Sequence, residues 1–282
     1  LDGHGEPKPL NTLQAALEQA AAAANLAGER LAMIDLTDPV RAEYASLRGL
    51  EPVYPASVIK VAVMVEAEHQ VEQGTIDLGT TYTVTEEQHT CTGYPPGDTR
   101  LLLQPGNTAS VQYLVDLMIT RSDNTATNVL IDHLGRANVT AYMASLGLPT
   151  LQVHRKVFGC EPYDDTGWDG VSRNTMSARE TAQLYRLILD GGPGFPGAES
   201  RTRMQGVLSR QLWRDGIFER LPAAAQYLSK TGETTTVKHD SGIILWGNRR
   251  YVIVAMLELS GGQALPRLRE LGTQVTAVME SR

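Results

Sequence analysis

The sequence predicts an α+β fold in which both ends of the chain, residues 1–56 and 203–282, build one lobe around a sheet. The middle, residues 57–202, forms a helical lobe, with a site between the two. Three observations lead there. An alanine-rich run near the start reads as helix and is followed by two short strand candidates. The middle carries stretches with apolar residues three and four positions apart. From Tyr227 onward the residues alternate as strands and end on an amphipathic helix. A chain of 282 residues with 42% apolar content can bury a sizeable core.

In chain order, Thr12 to Ala24 is rich in the best helix former, with Asn11 placed to cap it. Arg30–Leu36 reads as a strand and Glu43–Leu47 as its partner. After Pro55 the period changes: Val58, Val61, Ala62, Val65 and His69 describe a mostly buried helix from Ser57 to Gly74. Thr75–Pro105 is loop-rich, with Tyr94-Pro95-Pro96-Gly97 a turn. Ala109–Thr120 and Asn124–Leu134 read as two helices with a short turn between them, and Asn138–Leu146 and Ala178–Leu189 as two more. Between those, Gln152–Asn174 holds Gly159, Pro162, Gly167 and Gly170 and reads as a long irregular loop, which in a compact domain is usually functional. Tyr227–Lys230, Lys238–Trp246 and Arg250–Leu259 alternate as strands. Gly247-Asn248 makes a tight hairpin, and Gln263–Met279 is the closing helix.

Composition narrows the function classes. A net charge of −7 with no basic run argues against nucleic acid or an anionic membrane as partner. The longest early apolar stretch, Leu13–Leu26, is interrupted by Gln14, Glu18, Gln19 and Asn25, so no transmembrane segment is expected. The first residues lack the basic and apolar regions of a signal peptide. The six histidines lie far apart without H-E-x-x-H, so neither a metal site nor a cofactor is expected. There is no dinucleotide or phosphate loop, and no G-x-S-x-G elbow. Sequence says nothing of oligomeric state.

The chemistry lies in three short motifs. Ser57 is followed three positions later by Lys60; Ser122-Asp123-Asn124 and Lys230-Thr231-Gly232 come after it. Together they supply a nucleophile, an amine to handle its proton, and a second hydroxyl and ammonium to grip a substrate carbonyl. All three arising together by chance is expected in about two of ten thousand such sequences. A capping serine beside a surface lysine is the common fate of a Ser-x-x-Lys pair. Here Val58, Ile59, Val61 and Val63 surround Lys60 and argue for burial, which lowers an amine's pKa toward that of a base. A serine on the first turn of its helix also sits at the positive end of the helix dipole.

The arrangement resembles the active-site serine penicillin-recognising superfamily. Its spacing, 65 positions from Ser57 to Ser122 and 108 from Ser122 to Lys230, looks most like the class A serine β-lactamases. The likeness continues in Ser122-Asp-Asn-Thr-Ala-Thr-Asn128 and in Glu161-Pro162 with Asn174-Thr175-Met176-Ser177 after it, and covers about residues 11–280. It implies a β-lactamase/transpeptidase-like fold and a small-molecule substrate, a β-lactam or a peptidoglycan-derived peptide. It also implies a protein that works outside the cytoplasmic membrane.

By the same resemblance Ser57 is the nucleophile and Lys60 its base. Ser122 relays a proton to the leaving nitrogen and Asn124 holds the substrate amide. Lys230 and Thr231 bind the substrate carboxylate, and Gly232 lets the strand pass close to the substrate. The backbone N–H groups of Ser57 and Glu233 take the oxyanion. Asn128 braces the loop carrying Glu161, which activates the deacylating water; as a residue alone, Glu161 reads equally as a solvated loop carboxylate. Cys91 and Cys160 read as two free thiols, whereas the family's geometry would face their loops across the cleft mouth and permit a disulfide.

The chain also departs from the family pattern. Asp165 stands where Glu161 would have an Asn partner, so two carboxylates would repel. Gly159 and Asn174 replace an Arg–Asp pair that ties the loop's ends, leaving Arg155 or Lys156 to anchor it. Ser241, after Lys238, His239 and Asp240, stands in place of a carboxylate-binding Arg, and Glu233 adds a negative side chain. The expected activity is hydrolysis of a β-lactam through an acyl-Ser57. The alternatives are a penicillin-binding DD-peptidase-like or esterase protein with slow deacylation, and a non-enzymatic binding module on the same fold.

Overall fold

A computed structural model of the chain describes residues 12–38, 40–90, 97–157 and 165–282. Asn11, Tyr94-Pro95-Pro96, Cys91, Gly159, Cys160, Glu161 and Pro162 lie outside them.

Helix α1 (Thr12–Ala23) ends where Asn25 takes a left-handed φ of 56° and the Leu26 N–H returns to the Ala21 carbonyl at 2.7 Å. Strands β1 (Arg30–Asp35) and β2 (Glu43–Leu47) follow. The segment read as one helix from Ser57 begins as a 3₁₀ turn, Ala56–Ile59, and becomes α2 (Lys60–Glu72) only at Lys60. That helix runs through the middle of the molecule and is buried on nearly every side, which is why its apolar residues show so little sidedness.

A short strand, β3 (Thr81–Thr83), forms within the region read as loop and pairs with β4 (Thr108–Ser110), which lies beyond that region. The helix expected over Ala109–Thr120 is broken into β4, α3 (Val111–Asp116) and a π-helical turn, Leu117–Arg121. Ser110 caps α3 by accepting from the Tyr113 N–H. Helices α4 (Asn124–Leu134), α5 (Arg136–Ser145) and α6 (Ala178–Asp190) form as expected within a residue or two.

Helix α7 (Ala198–Leu208) and a 3₁₀ turn at Ile217–Arg220 were not legible. Only Ser200, Met204 and Leu208 of α7 are buried, so it has almost no apolar stripe to read. Polar contacts dock it instead. Arg203 reaches Glu68 of α2 at 2.7 Å, and Glu72 accepts from the Gly197 N–H and the Ser200 hydroxyl. The last strands are β5 (Gln226–Glu233), β6 (Lys238–Trp246) and β7 (Arg249–Leu257), before α8 (Gly261–Ser281). β5 thus extends beyond Lys230 to Glu233, and β7 stops two residues short of Leu259.

The main sheet is antiparallel in the order β2-β1-β7-β6-β5. Its two faces bury different sets. Leu31, Met33, Tyr251, Ile253, Ala255 and Leu257 face α1 and α8; Ala32, Ile34, Val252, Val254 and Met256 face α6 and the other helices. Covered on both sides, β7 carries an unbroken apolar run instead of a polar alternation. Arg282 ties the chain's end to its beginning through Asp35 at 3.2 Å and Glu43 at 2.6 Å, and the Tyr251 hydroxyl donates to the same Asp35 at 2.6 Å. Among the described residues no helix is long and apolar enough to cross a membrane.

α8 lies against the 3₁₀ turn so closely that a Cβ on Gly272 would come 2.5 Å from the Ile217 carbonyl oxygen. Backbone cannot retreat as a flexible side chain can. Gly272→Val is therefore expected to destabilise by about 1–3 kcal/mol, read as a lower urea midpoint with unchanged slope; an unchanged midpoint would refute the contact.

Candidate active site

Ser57 sits on a turn that the sheet holds from beneath. The turn is strained, with Ala56 at φ 45° and the Val58 N–H closing on the Pro55 carbonyl at 3.0 Å. His239 of β6, fully buried, accepts the Leu257 N–H on Nδ1 at 3.0 Å, so Nε2 carries the proton donated to the Tyr54 carbonyl at 2.9 Å. Burial pushes this imidazole down to about 4, which keeps it neutral.

Gly232 of β5 completes the clamp. A Cβ there would stand 2.8 Å from the Pro55 carbonyl oxygen and 3.1 Å from the Ser57 nitrogen. This glycine thus approaches the nucleophile's own turn closely. Ser57 also precedes α2 instead of opening it, because the chain passes through 3₁₀ geometry first.

Lys60 and Lys230 are both fully buried and both donate to the Ser122 hydroxyl, at 3.1 and 3.0 Å. Lys60 Nζ also donates to the Ser122 carbonyl at 2.7 Å and to Asn124 Oδ1 at 2.6 Å, and Lys230 Nζ to the Thr231 carbonyl at 2.8 Å. The three motifs therefore meet at Ser122. Lys60 is engaged there and not with Ser57, whose hydroxyl makes no hydrogen bond among the described residues. Burial pushes the Lys60 ammonium down to about 7 against the opposing charge of Asp123. Lys230 is held well below its ordinary range, first by burial and then by the charge of Lys60. A hydroxyl oxygen that accepts two N–H groups has its lone pairs occupied, so its own proton is left to donate into the cleft.

Ser122 adopts a left-handed φ of 65° at the end of the π-turn. Such a conformation in a residue other than glycine persists only when its surroundings impose it. Before it, Arg121 is completely buried and forks onto Asp98 at 2.6 and 2.8 Å while donating to the Arg100 and Leu101 carbonyls. Arg100 joins Asp98 to Asp116, so two arginines and two carboxylates lock the turn. These arginines, Arg121 first, hold the Asp98 carboxyl far below the usual range. After it, Asp123 accepts from the Ala126 N–H and caps α4, the backbone role expected of it. From outside, Leu212 N–H and Trp213 Nε1 donate to the Thr120 and Arg121 carbonyls.

Ser57, Arg121, Ser122, Asn124, Trp213, Thr231, Glu233 and Lys238 line one cleft of about 170 Å³. Six of the eight lie in or directly beside the motifs. Trp213 lies in an irregular segment with no signal, and Lys238 opens a strand like any other residue. Lys238 Nζ, almost fully buried, is held by Glu233 at 2.7 Å and Asp215 at 3.2 Å; burial lowers its pKa, but these carboxylates outweigh that and leave it raised. The other oxygen of Glu233 lies over Gly261 at the start of α8. Ser241 is buried between the Lys230 carbonyl, to which it donates at 2.8 Å, and the Tyr185 hydroxyl. Among the described residues no group of three or more His, Cys, Asp or Glu could hold a metal ion.

Glu161, Cys91 and Cys160 lie outside the described residues, but the frame of their loops does not. Asn128 exchanges hydrogen bonds with Val157 in both directions, at 3.1 and 2.8 Å, and reaches the Gln88 carbonyl. Asp165 does not stand as an unmatched carboxylate: Arg136 pairs with it at 2.7 Å and the Lys156 N–H donates to it. Lys156, fully buried, bonds Glu87 and Asp132, and Arg155 lies over the Trp168 ring. Asn174 knits the two flanks by accepting from the His154 and Arg155 N–H groups and donating to the Arg155 carbonyl. Both expected anchors, Arg155 and Lys156, are in use.

The model of the β-lactamase enzyme family matches residues 12–278. A β-lactamase of Citrobacter koseri is 28% identical over 159 residues, 56% of this chain and 49% of that protein. β-Lactamase AER-1 of Aeromonas hydrophila is 26% identical over 197 residues, 69% of this chain and 62% of that protein. The chain thus spans 49% and 62% of the length of these curated relatives. Among solved structures, PBP-A superposes with a TM-score of 0.78 at 23% identity, covering 98% of both chains. An ancestral class A β-lactamase superposes with 0.76 at 25% identity, covering 93% of this chain and 99% of that one.

Removing Asp98 would leave the Arg121 guanidinium buried without its carboxylate. Asp98→Ala is expected to cost about 3–5 kcal/mol, measured by denaturant unfolding. Because the folded carboxyl is depressed, its contribution is present above the unfolded value of about 3.9 and is lost as pH falls through the folded value. Wild type and variant should therefore converge only in strong acid. Equal stability at neutral pH would sink the idea.

Proposed function

The chain belongs to the β-lactamase enzyme family and has the β-lactamase/transpeptidase fold, and on that footing we propose that it is a serine hydrolase of the class A type. In this reading Ser57 is acylated by a β-lactam and the ester is then hydrolysed. The observation that carries it is the double donation of Lys60 and Lys230 to Ser122 Oγ, which leaves that hydroxyl's proton free to go to a leaving nitrogen.

The geometry supports the following sequence of events. Lys60, with its pKa lowered to about 7, is partly neutral at physiological pH. Once substrate displaces its bonds to Asn124 or Ser122, it can take the Ser57 proton, directly or through Ser122. Ser57 Oγ bonds to the carbonyl carbon, and the amide N–H groups of Ser57 and Glu233, brought together by the Gly232 contact, receive the oxyanion. The C–N bond breaks as Ser122 protonates the nitrogen, and Lys60 returns the proton to Ser122. Asn124 and Thr231 line the cleft where substrate polar groups lie. Water attacks the ester in the second half, with Glu161 as the base, on a loop framed by Asn128.

A second reading is a penicillin-binding protein in which the ester persists. It is favoured by the fold of PBP-A, which superposes over as much of the chain as any β-lactamase cited above. Time-resolved intact-mass spectrometry with a penicillin separates the two. A transient adduct with drug consumed supports the hydrolase; a lasting adduct on Ser57 supports the penicillin-binding protein; neither refutes both.

Ser57→Ala should abolish the adduct with stability changed by no more than about 0.5 kcal/mol, since the hydroxyl caps no helix; turnover retained by this variant would refute the nucleophile. Acylation by wild type should rise with pH through about 7 and then level, because the neutral amine is the base. A flat profile from pH 5 to 9 would remove Lys60 from that role. Glu161→Gln should acylate nearly normally and stall as the ester, and equal release rates in wild type and variant would exclude Glu161 as the deacylating base.

A further inference from the structure

We infer that the space between α3 and α7 is a second binding site, for an uncharged, flat, largely apolar molecule of one or two rings. It is a cavity of about 420 Å³, against about 170 Å³ for the cleft at Ser57, and the two share no lining residue. Its size lies within the roughly 300–1,000 Å³ usual for small-molecule sites. The way α7 is docked creates it. Two ion pairs hold that helix to its neighbours, Arg203 with Glu68 of α2 at 2.7 Å and Arg210, just past the helix end, with Asp116 of α3 at 2.5 Å. Gly206, three positions from one arginine and four from the other, shares their face and brings no side chain to fill the gap.

Gly206 is an independent observation of the same kind. A glycine inside a helix is less stable than an alanine, so it calls for a reason. The fold supplies none: the residue is helical without a positive φ, and a Cβ there would meet only the far end of the Arg210 side chain at 3.8 Å. At Gly272, by contrast, a Cβ would strike backbone. A local rule broken without a packing reason marks a functional position, and what this glycine preserves is the open space. The lining sets the class of occupant. Its two guanidiniums, Arg203 and Arg210, are matched by its two carboxylates, Glu68 and Asp116, so the wall calls for no net charge, and an ion would lose hydration without gaining a free partner. The rest of the lining is mainly apolar, with Leu78, Val115 and Val207 beside the partly exposed ring of Tyr113, against which a flat molecule can stack.

The test is equilibrium dialysis of the full chain against three probes of one shape at pH 7: 2-naphthol, which is uncharged, 2-naphthoate, and 2-naphthylmethylammonium. Wild type should take up one equivalent of 2-naphthol and bind it about fivefold or more tightly than either ion. Gly206→Leu puts a branched side chain into the space and a better helix former into α7, so it should abolish uptake while its urea midpoint stays level or rises. Tyr113→Ala, at an exposed position, should weaken binding by about twofold to tenfold and serves as the second variant should the first not fold. No saturable uptake of 2-naphthol by wild type overturns the inference, as does uptake that persists in folded Gly206→Leu or an ion that binds as tightly as the naphthol. None of these measurements uses Ser57 chemistry, so their failure leaves the hydrolase reading untouched.

Discussion

Two lysine side chains with no access to solvent share a single hydroxyl oxygen, and much of the molecule is arranged around that burden. Ammonium groups are seldom fully buried, because each loses its hydration and repels the other. Here Lys60 of α2 and Lys230 of β5 approach Ser122 Oγ to 3.1 and 3.0 Å. Asp123 lies on the Lys60 side and Asp240 on the Lys230 side, each favouring the charged amine. Burial wins over both, so the pair cannot comfortably hold two protons. A site that is short of one proton is poised to accept one, which makes the electrostatic discomfort a part of the chemistry.

Such an arrangement works only if three separate pieces of chain are held in register. The Ser57 turn is fixed to the sheet by His239 and by the bare backbone of Gly232. The Ser122 turn is fixed from within by Arg121 and Asp98 and from outside by Leu212 and Trp213. β5 brings Lys230 as part of the regular sheet ladder. Each support is a buried, directional contact, and the strained φ values at Ala56 and Ser122 occur where those contacts converge.

The legibility of these features in sequence follows their range. The motifs, the sheet strands and helices with an apolar stripe were readable because short spacing and periodicity determine them. The π-turn was not: Ala109–Thr120 has a helical composition, and only the distant pairing of β4 with β3 and the grip on Arg121 interrupt it. α7 was hidden because ion pairs dock it. His239 was read as an ordinary surface or core histidine, and its neutral buried state agrees, yet its partners Tyr54 and Leu257 come from strand register that no local pattern encodes. Asp165 was read as a source of repulsion because its partner Arg136 lies 29 positions away. Gly232 reads as a place of close approach to substrate; its approach to Pro55 depends on how β5 packs on the Ser57 turn, which no local pattern encodes.

The strand order has a consequence for how such a molecule is made. β1 occupies the interior of the sheet only by pairing with β7, and Asp35 meets Tyr251 across 216 positions of chain. During synthesis β1 and β2 leave the ribosome together and long before β7 exists, so the inner edge of β1 must wait open to other chains. A product that stops short of β7 has no centre to its sheet. Completion of the sheet is thereby deferred until β7 has been made, and closure of so long a loop is intrinsically slow.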